Sequence, residues 1–152
     1  MGAEQALRER GIALPEPPPA AGNYVRGVQV GDLLFMSGHG PRRADGTYMA
    51  GKVGADLTVE QGYEAARMAG LVMLASIRAQ LGSLDRVRRV VKLTGFVNST
   101  PDFTDQPKVV NGCSDLMVEV FGDAGRHARA AVSAAALPLG VAVEIEAIFE
   151  VA

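Results

Sequence analysis

Residues 141–151 read VAVEIEAIFEV, and their strict period of two limits what the chain can become. Val141, Val143, Ile145, Ala147, Phe149 and Val151 alternate with Ala142, Glu144, Glu146, Ile148 and Glu150. A β-strand puts successive side chains on opposite faces, so this pattern predicts a strand with one apolar face under helices. The other face is left to solvent or to another subunit. Residues 128–136 form a second strand-like run, rich in alanine and carrying Arg129, and Leu137-Pro138-Leu139-Gly140 separates the two. The spacing predicts a closing β-hairpin. A four-residue turn pairs Ala136 with Val141 and puts Arg129 and Glu144 on one face; a three-residue turn puts them on opposite faces, and the pattern allows both. A lone guanidinium among alanines is costly to place unless it meets solvent, a carboxylate or an anionic ligand.

The remaining segments give the order β-β-α-β-α-β-β after a short N-terminal helix. Residues 3–10 predict that helix, stopped by Gly11, and the prolines from Pro15 to Pro19 predict an extended arm. Residues 1–21 are therefore read as helix and arm, and residues 22–152 as the domain. Runs at 24–30 and 33–36 around Gly31-Asp32 predict a hairpin, and 42–56 a loop. Thr58 and Gln61 fit a capping box at the start of a helix with Val59, Tyr63, Ala66, Gly70, Met73, Leu74, Ile77 and Leu81 on one face, and Gly82 is placed to end it. Gly62 and Gly70 weaken that helix, and close packing onto the sheet would explain them. Residues 87–97 predict a strand. A helix over 109–120 follows, with Asp102 or Thr104 as cap and Pro107 in its first turn, and Gly122 ends it. The fold class expected is α+β: a mixed sheet of roughly four to six strands with two helices packed on one face.

Composition narrows the function. The net charge is −2, so no basic field draws nucleic acid. The cluster Arg86-Val87-Arg88-Arg89 reads as a solvated strand entry. The single cysteine, Cys113, excludes an intrachain disulfide and reads as a buried thiol. His39 and His127 are the two histidines, too few for a typical zinc site, so no metal is expected. No apolar run reaches the ~18 residues of a membrane span, and Glu4, Arg8 and Arg10 occupy the place of a signal peptide's apolar core. A cytoplasmic protein is expected.

Four pieces together resemble the Rid (YjgF) family of small trimeric proteins. They are Tyr24 in NYVRGVQVGDLL with the following Phe35-Met36-Ser37-Gly38; the helix from Thr58; Asn111 in the second helix; and Ala128-Arg129-Ala130-Ala131-Val132 followed by Leu137-Pro138 and Val143-Glu144-Ile145-Glu146-Ala147. The resemblance runs over residues 22–151. It implies a chorismate-mutase-like subunit, a homotrimeric barrel with ligand clefts between neighbours, and cofactor-free hydrolysis of enamines and imines to 2-keto acids and ammonia.

Carried onto this chain, the resemblance makes Arg129 the partner of a small-molecule carboxylate and Glu144 the base or orienter of a water, the two catalytic candidates. Tyr24, Ser37 and Asn111 would complete the cleft by hydrogen bonds, and the backbone at Gly38 and Ala131 would line it. Each residue has a plainer role open to it. Arg129 could pair with Glu144 or Glu146 across a subunit contact. Any of Glu144, Glu146 and Glu150 could be merely solvated, Tyr24 a core aromatic, Asn111 a backbone partner and Ser37 a turn former. The chain departs from the deaminase branch at Ala131, where a cysteine is common, and at His39, where glutamine is usual. Alternatives to a deaminase are a non-catalytic trimer that binds keto or amino acids and a hydrolase of ring or carbamate substrates. A ribonuclease or translation inhibitor finds no basic stripe, stacking platform or catalytic histidine pair here.

Overall fold

A computed structural model describes residues 1–152. Its elements are α1 (Ala3–Glu9), β1 (Gly27–Val30), β2 (Leu33–His39), α2 (Val59–Leu81), β3 (Val87–Asn98), α3 (Gln106–Phe121), β4 (Ala128–Ala134) and β5 (Val143–Val151). The strands form one sheet in the order β1-β2-β5-β3-β4. All neighbours are antiparallel except β3 and β4, which are parallel.

Within β5 the alternation sorts as expected: Val143, Ile145, Ala147, Phe149 and Val151 are buried, Glu146 is exposed, and Glu144, Ile148 and Glu150 are half-buried, whereas Val141 and Ala142 precede the strand and are both buried. The buried set joins Leu34, Met36, Val90, Leu93 and Val97 from the other strands, under α2 and α3. Thr58 and Gln61 close a reciprocal capping box, the Thr58 hydroxyl accepting from Gln61 N at 3.1 Å and the Gln61 side-chain Oε1 from Thr58 N at 2.9 Å. Gly82 ends α2 in the left-handed region at φ 86°. The glycines of α2 serve the other helix rather than the sheet. A Cβ at Gly62 would press on Val109 and one at Gly70 on Leu116 and Cys113, all in α3. Gly112 of α3 in turn lies against the backbone of α2 at Tyr63.

The closing hairpin is not formed. β3 lies between β4 and β5, which are not neighbours. The helix α3 carries the chain back along the sheet, so β4 starts beside the strand it left and runs parallel to it, as a β-α-β crossover does. The turn at Pro138–Gly140 then takes the chain across the end of β3 to its other edge. Other shifts are local. β1 is shorter than the run from Tyr24, β2 extends to His39 through a bulge, and α3 begins at Gln106 with Asp105, not Asp102 or Thr104, at its N-cap. At the N-terminus, Ala3, Ala6 and Leu7 of α1 are buried. The Glu4 carboxylate accepts from Arg78 Nη2 at 2.7 Å and from Leu84 N at 2.9 Å.

The sheet face away from the helices carries Val28, Val30, Leu33, Phe35 and Val132, each more than a third exposed. No helix covers this face.

Candidate functional site

The sheet order divides the candidate residues into two groups. The first lies at the β4 edge. Arg129 is level with the buried Leu93, and in a parallel pair partners share a face, so its side chain leaves on the helix side. There α3 meets it. Arg129 Nη1 donates to Asn111 Oδ1 at 2.7 Å and to Ser114 Oγ at 3.1 Å, two residues one helical turn apart. No carboxylate of the chain forms an ion pair with Arg129. Ala131 follows on the same face, opposite Gly95.

Ser114 and His127 extend this group. His127 Nδ1 lies 2.7 Å from Gly125 O, and a carbonyl only accepts, so Nδ1 carries the proton. Nε2 of the neutral ring therefore accepts from Ser114 Oγ at 2.9 Å. The chain of donors runs Arg129 to Ser114 to His127 to the Gly125 carbonyl, beside a surface pocket lined also by Asp115, Val118 and Arg126. Burial, then the Gly125 bond acting oppositely, then Arg129, move the His127 pKa, with a net result below the ordinary histidine value. Neither residue was singled out from the sequence. Ser114 stands three positions after Asn111 on a helix, and that spacing was the available signal.

The second group lies where β2 ends. Tyr24, Ser37 and Gly38 line one pocket there with Arg26, His39 and Tyr48. Tyr24 is half exposed, and its hydroxyl accepts weakly from Ala21 N at 3.4 Å. The Ser37 hydroxyl donates to Val25 O at 2.7 Å, which ties β2 to the chain entering β1. Glu144 is level with Phe96, on the open face, and its carboxylate packs so close to Gly38 that a Cβ there would lie 2.7 Å from Oε1. Burial first, and then Glu146, raise the Glu144 pKa, which makes it a better proton acceptor when ionised. Glu146 is exposed beside it on the same face and Glu150 lies further along β5.

Arg129 and Glu144 thus sit on opposite faces of the sheet. Neither of the two turn lengths considered decides this, because β4 pairs with β3 rather than with β5. Within one chain the structure joins Arg129 with Asn111, and Glu144 with Gly38, but does not bring the two groups together.

Cys113 and His39 have structural roles. Cys113 is buried, and burial pushes its thiol up to about 12, far from a thiolate at neutral pH. His39 is buried, its Nδ1–H donating to Ser37 O at 2.7 Å and its Nε2 accepting from Ser76 Oγ at 2.9 Å, so it pins the β2 bulge to α2. Burial lowers its pKa against the Ser37 bond, with Arg26 adding to the lowering. Burial thus disfavours the charged form of both histidines in the folded protein. An unfolded histidine takes up its proton near pH 6.5, so stability is full above about that pH and falls with acid toward the lower folded values. The thermal midpoint should drop between about pH 7 and pH 5, and His39→Gln should flatten the drop. Parallel wild-type and variant curves would exclude this assignment.

No three His, Cys, Asp or Glu side chains gather as a metal site would require. No helix is long and apolar enough to cross a membrane.

Residues 4–150 match the family described as "YjgF/chorismate mutase-like, putative endoribonuclease". Protein TCP17 of Trypanosoma cruzi is 50% identical over 145 residues, which cover 95% of this chain and 91% of that protein. The crystal structure of Atu1372 from Agrobacterium tumefaciens superposes with a TM-score of 0.89 at 43% identity, covering 99% of this chain and 94% of that one. TdcF of E. coli, solved with bound serine, superposes with a TM-score of 0.65 at 27% identity over 92% and 99% of the two chains.

Proposed function

The chain belongs to the YjgF/chorismate-mutase-like family, and on that premise we propose that it forms a homotrimer whose inter-subunit clefts bind small carboxylates and hydrolyse 2-imino acids to 2-keto acids and ammonia. The observation that carries this reading is Arg129. Its guanidinium is held by two neutral oxygens and is paired with no carboxylate, so its charge is free for a ligand. With Nη1 engaged by α3, Nη2 and Nε remain as a fork for a carboxylate. The serine bound to TdcF is a ligand of the matching class, a small molecule with a carboxylate.

The division of the site favours assembly. Arg129 leaves the β4 edge on the helix side, whereas Glu144 lies on the open face of the central strand β5 beside Gly38 of β2, so a neighbouring subunit has to bring the second group to the first. The exposed apolar residues of the open face are the kind of patch that subunit contacts cover.

In the cleft, Arg129 binds the substrate carboxylate and fixes the imine carbon. Glu144 takes a proton from water as its oxygen bonds to that carbon. The C=N π pair moves to nitrogen, to which Glu144 returns that proton, and the carbinolamine collapses as its hydroxyl proton passes through Glu144 to the amine, forming the keto C=O and releasing ammonia. Tyr24 adds a hydrogen bond, and the Gly38 backbone lines the wall that Glu144 presses against.

Assay of wild-type protein tests this. An amino acid oxidase generates 2-iminopropanoate, semicarbazide traps it, and the protein should lower semicarbazone formation while pyruvate and ammonia still appear. Unchanged trapping, with tight binding of a keto acid, establishes the second reading, a binding trimer without turnover. Ala131 in place of the branch's cysteine favours that second reading. A ribonuclease has less to stand on, because His39 is buried in a structural role and the net charge is −2.

A further inference from the structure

A serine–histidine unit occurs twice in this protein in the same form. His39 and His127 each set Nδ1 2.7 Å from the carbonyl two residues back. Each also sets Nε2 2.9 Å from a serine hydroxyl on a helix, Ser76 of α2 and Ser114 of α3. Their surroundings differ. His39 and Ser76 are 5% and 3% exposed, which leaves that pair a structural tie. Ser114 and His127 are half-buried, and both line the surface pocket that Arg126 and Arg129 share with them. The imine reaction above has no use for either.

The open unit has the parts of an acyl-transfer site. The Gly125 carbonyl accepts from Nδ1–H of His127 and fixes the tautomer whose Nε2 is an acceptor, the task of the third group in a nucleophile–base–orienter triad. Ser114 Oγ donates its proton to Nε2 and spends one lone pair accepting from Arg129 Nη1 at 3.1 Å, so a second lone pair is uncommitted. The guanidinium beside this hydroxyl favours the negative charge that forms as the proton leaves. Nη2 and Nε of Arg129 are donors for an oxyanion. Val118 is the single apolar residue of the lining, so the pocket suits a short acyl group. We propose that Ser114 is a nucleophile, with His127 as its general base, for hydrolysis of activated esters and thioesters of small acyl groups such as acetyl. His127 Nε2 takes the Ser114 proton as Oγ bonds to the acyl carbon, and the C=O π pair moves to oxygen against Arg129. Collapse re-forms the C=O and breaks the bond to the leaving oxygen or sulfur, which receives the proton from His127. Water, losing its proton to His127, then attacks the acyl-serine. The acid leaves, and the proton returns to Ser114 Oγ. No imine takes part, so this activity stands or falls apart from the deaminase reading.

Wild-type protein is assayed with p-nitrophenyl acetate and treated with methanesulfonyl fluoride, a small reagent that sulfonylates activated serines with loss of fluoride. The protein should release p-nitrophenolate catalytically, and the reagent should stop this release as it labels Ser114. Peptide mass spectrometry should find the label on Ser114 and none on Ser76, the sealed copy of the same unit. Ser114→Ala should lose both the labelling and the hydrolysis. His127→Gln keeps a hydrogen-bonding side chain but no base, and should slow both by about 10²-fold or more. Wild-type protein in which Ser114 stays unlabelled, or in which the label falls on His127 or a lysine instead, overturns the proposal whatever the variants do. Ester hydrolysis that survives Ser114→Ala overturns it as well.

Discussion

Gly112→Ala should cost more stability than any other single methyl group added to this protein's helices. The new Cβ would run into the carbonyl oxygen of Tyr63 and lie 2.9 Å from its carbonyl carbon and 3.0 Å from Arg67 N, all backbone of α2. Backbone in a helix cannot turn aside as a side chain can, so α2 and α3 must separate. Their contact contains Ala66, Ala69, Met73, Val109, Cys113, Leu116 and Met117, all buried. Overpacking costs about 1–3 kcal/mol and sometimes more, and here the upper end applies. The better helix propensity of alanine returns about 1 kcal/mol. A net loss of about 2–3 kcal/mol is a large share of the ~5–15 kcal/mol that holds a domain together. The urea midpoint should fall by about 1 M or more. Gly70→Ala is the control, since its Cβ would meet Leu116 Cδ2 at 2.9 Å and Cys113 Sγ at 3.0 Å, both side-chain ends that can turn where backbone cannot. It should lie within about 1 kcal/mol of wild type, where propensity offsets the crowding. Equal stability of Gly112→Ala and wild type would disprove the close helix approach.

Arg129→Ala should have the largest effect on activity. Removing one partner of a desolvated charged pair typically costs about 2–5 kcal/mol, and each 1.36 kcal/mol is a factor of ten in rate. A fall in kcat/KM for 2-iminopropanoate of about 10²–10³-fold is expected, well above the effect of removing Ser37 or Tyr24, each able to supply one hydrogen bond. The fold should survive, because Arg129 is half exposed and its side-chain bonds go to two residues of α3. Arg129→Lys keeps the charge but loses the planar fork and should recover only part of the rate. Asn111→Ala, which leaves Nη1 held by Ser114 alone, should lower kcat/KM by about tenfold through a misaimed guanidinium. Full activity of Arg129→Ala by semicarbazide trapping would remove the basis of the proposed mechanism.

The physical status of Arg129 links what was legible in the sequence with what was not. That Arg129 needs a partner followed from its setting among alanines. That the partners are Asn111 and Ser114, and that Ser114 is shared with His127, required α3 to lie over β4. Asn111 was named from the family resemblance, whereas Ser114 and His127 are linked to Arg129 only by folding.

Local pattern by itself determined the elements and their faces. Period two over residues 143–151 placed five side chains in the core, and Thr58, Gln61 and Gly82 set the ends of α2. These features depend on bond geometry and neighbours a few residues away, which any sequence displays. Strand order does not. Whether β4 pairs with β5 as a hairpin or with β3 through a crossover leaves the period of each strand unchanged. That choice was made by the packing of α3 against α2 and the sheet. It decided that Arg129 and Glu144 face opposite ways, because pairing energy comes from residues far apart in sequence and local periodicity carries no record of them.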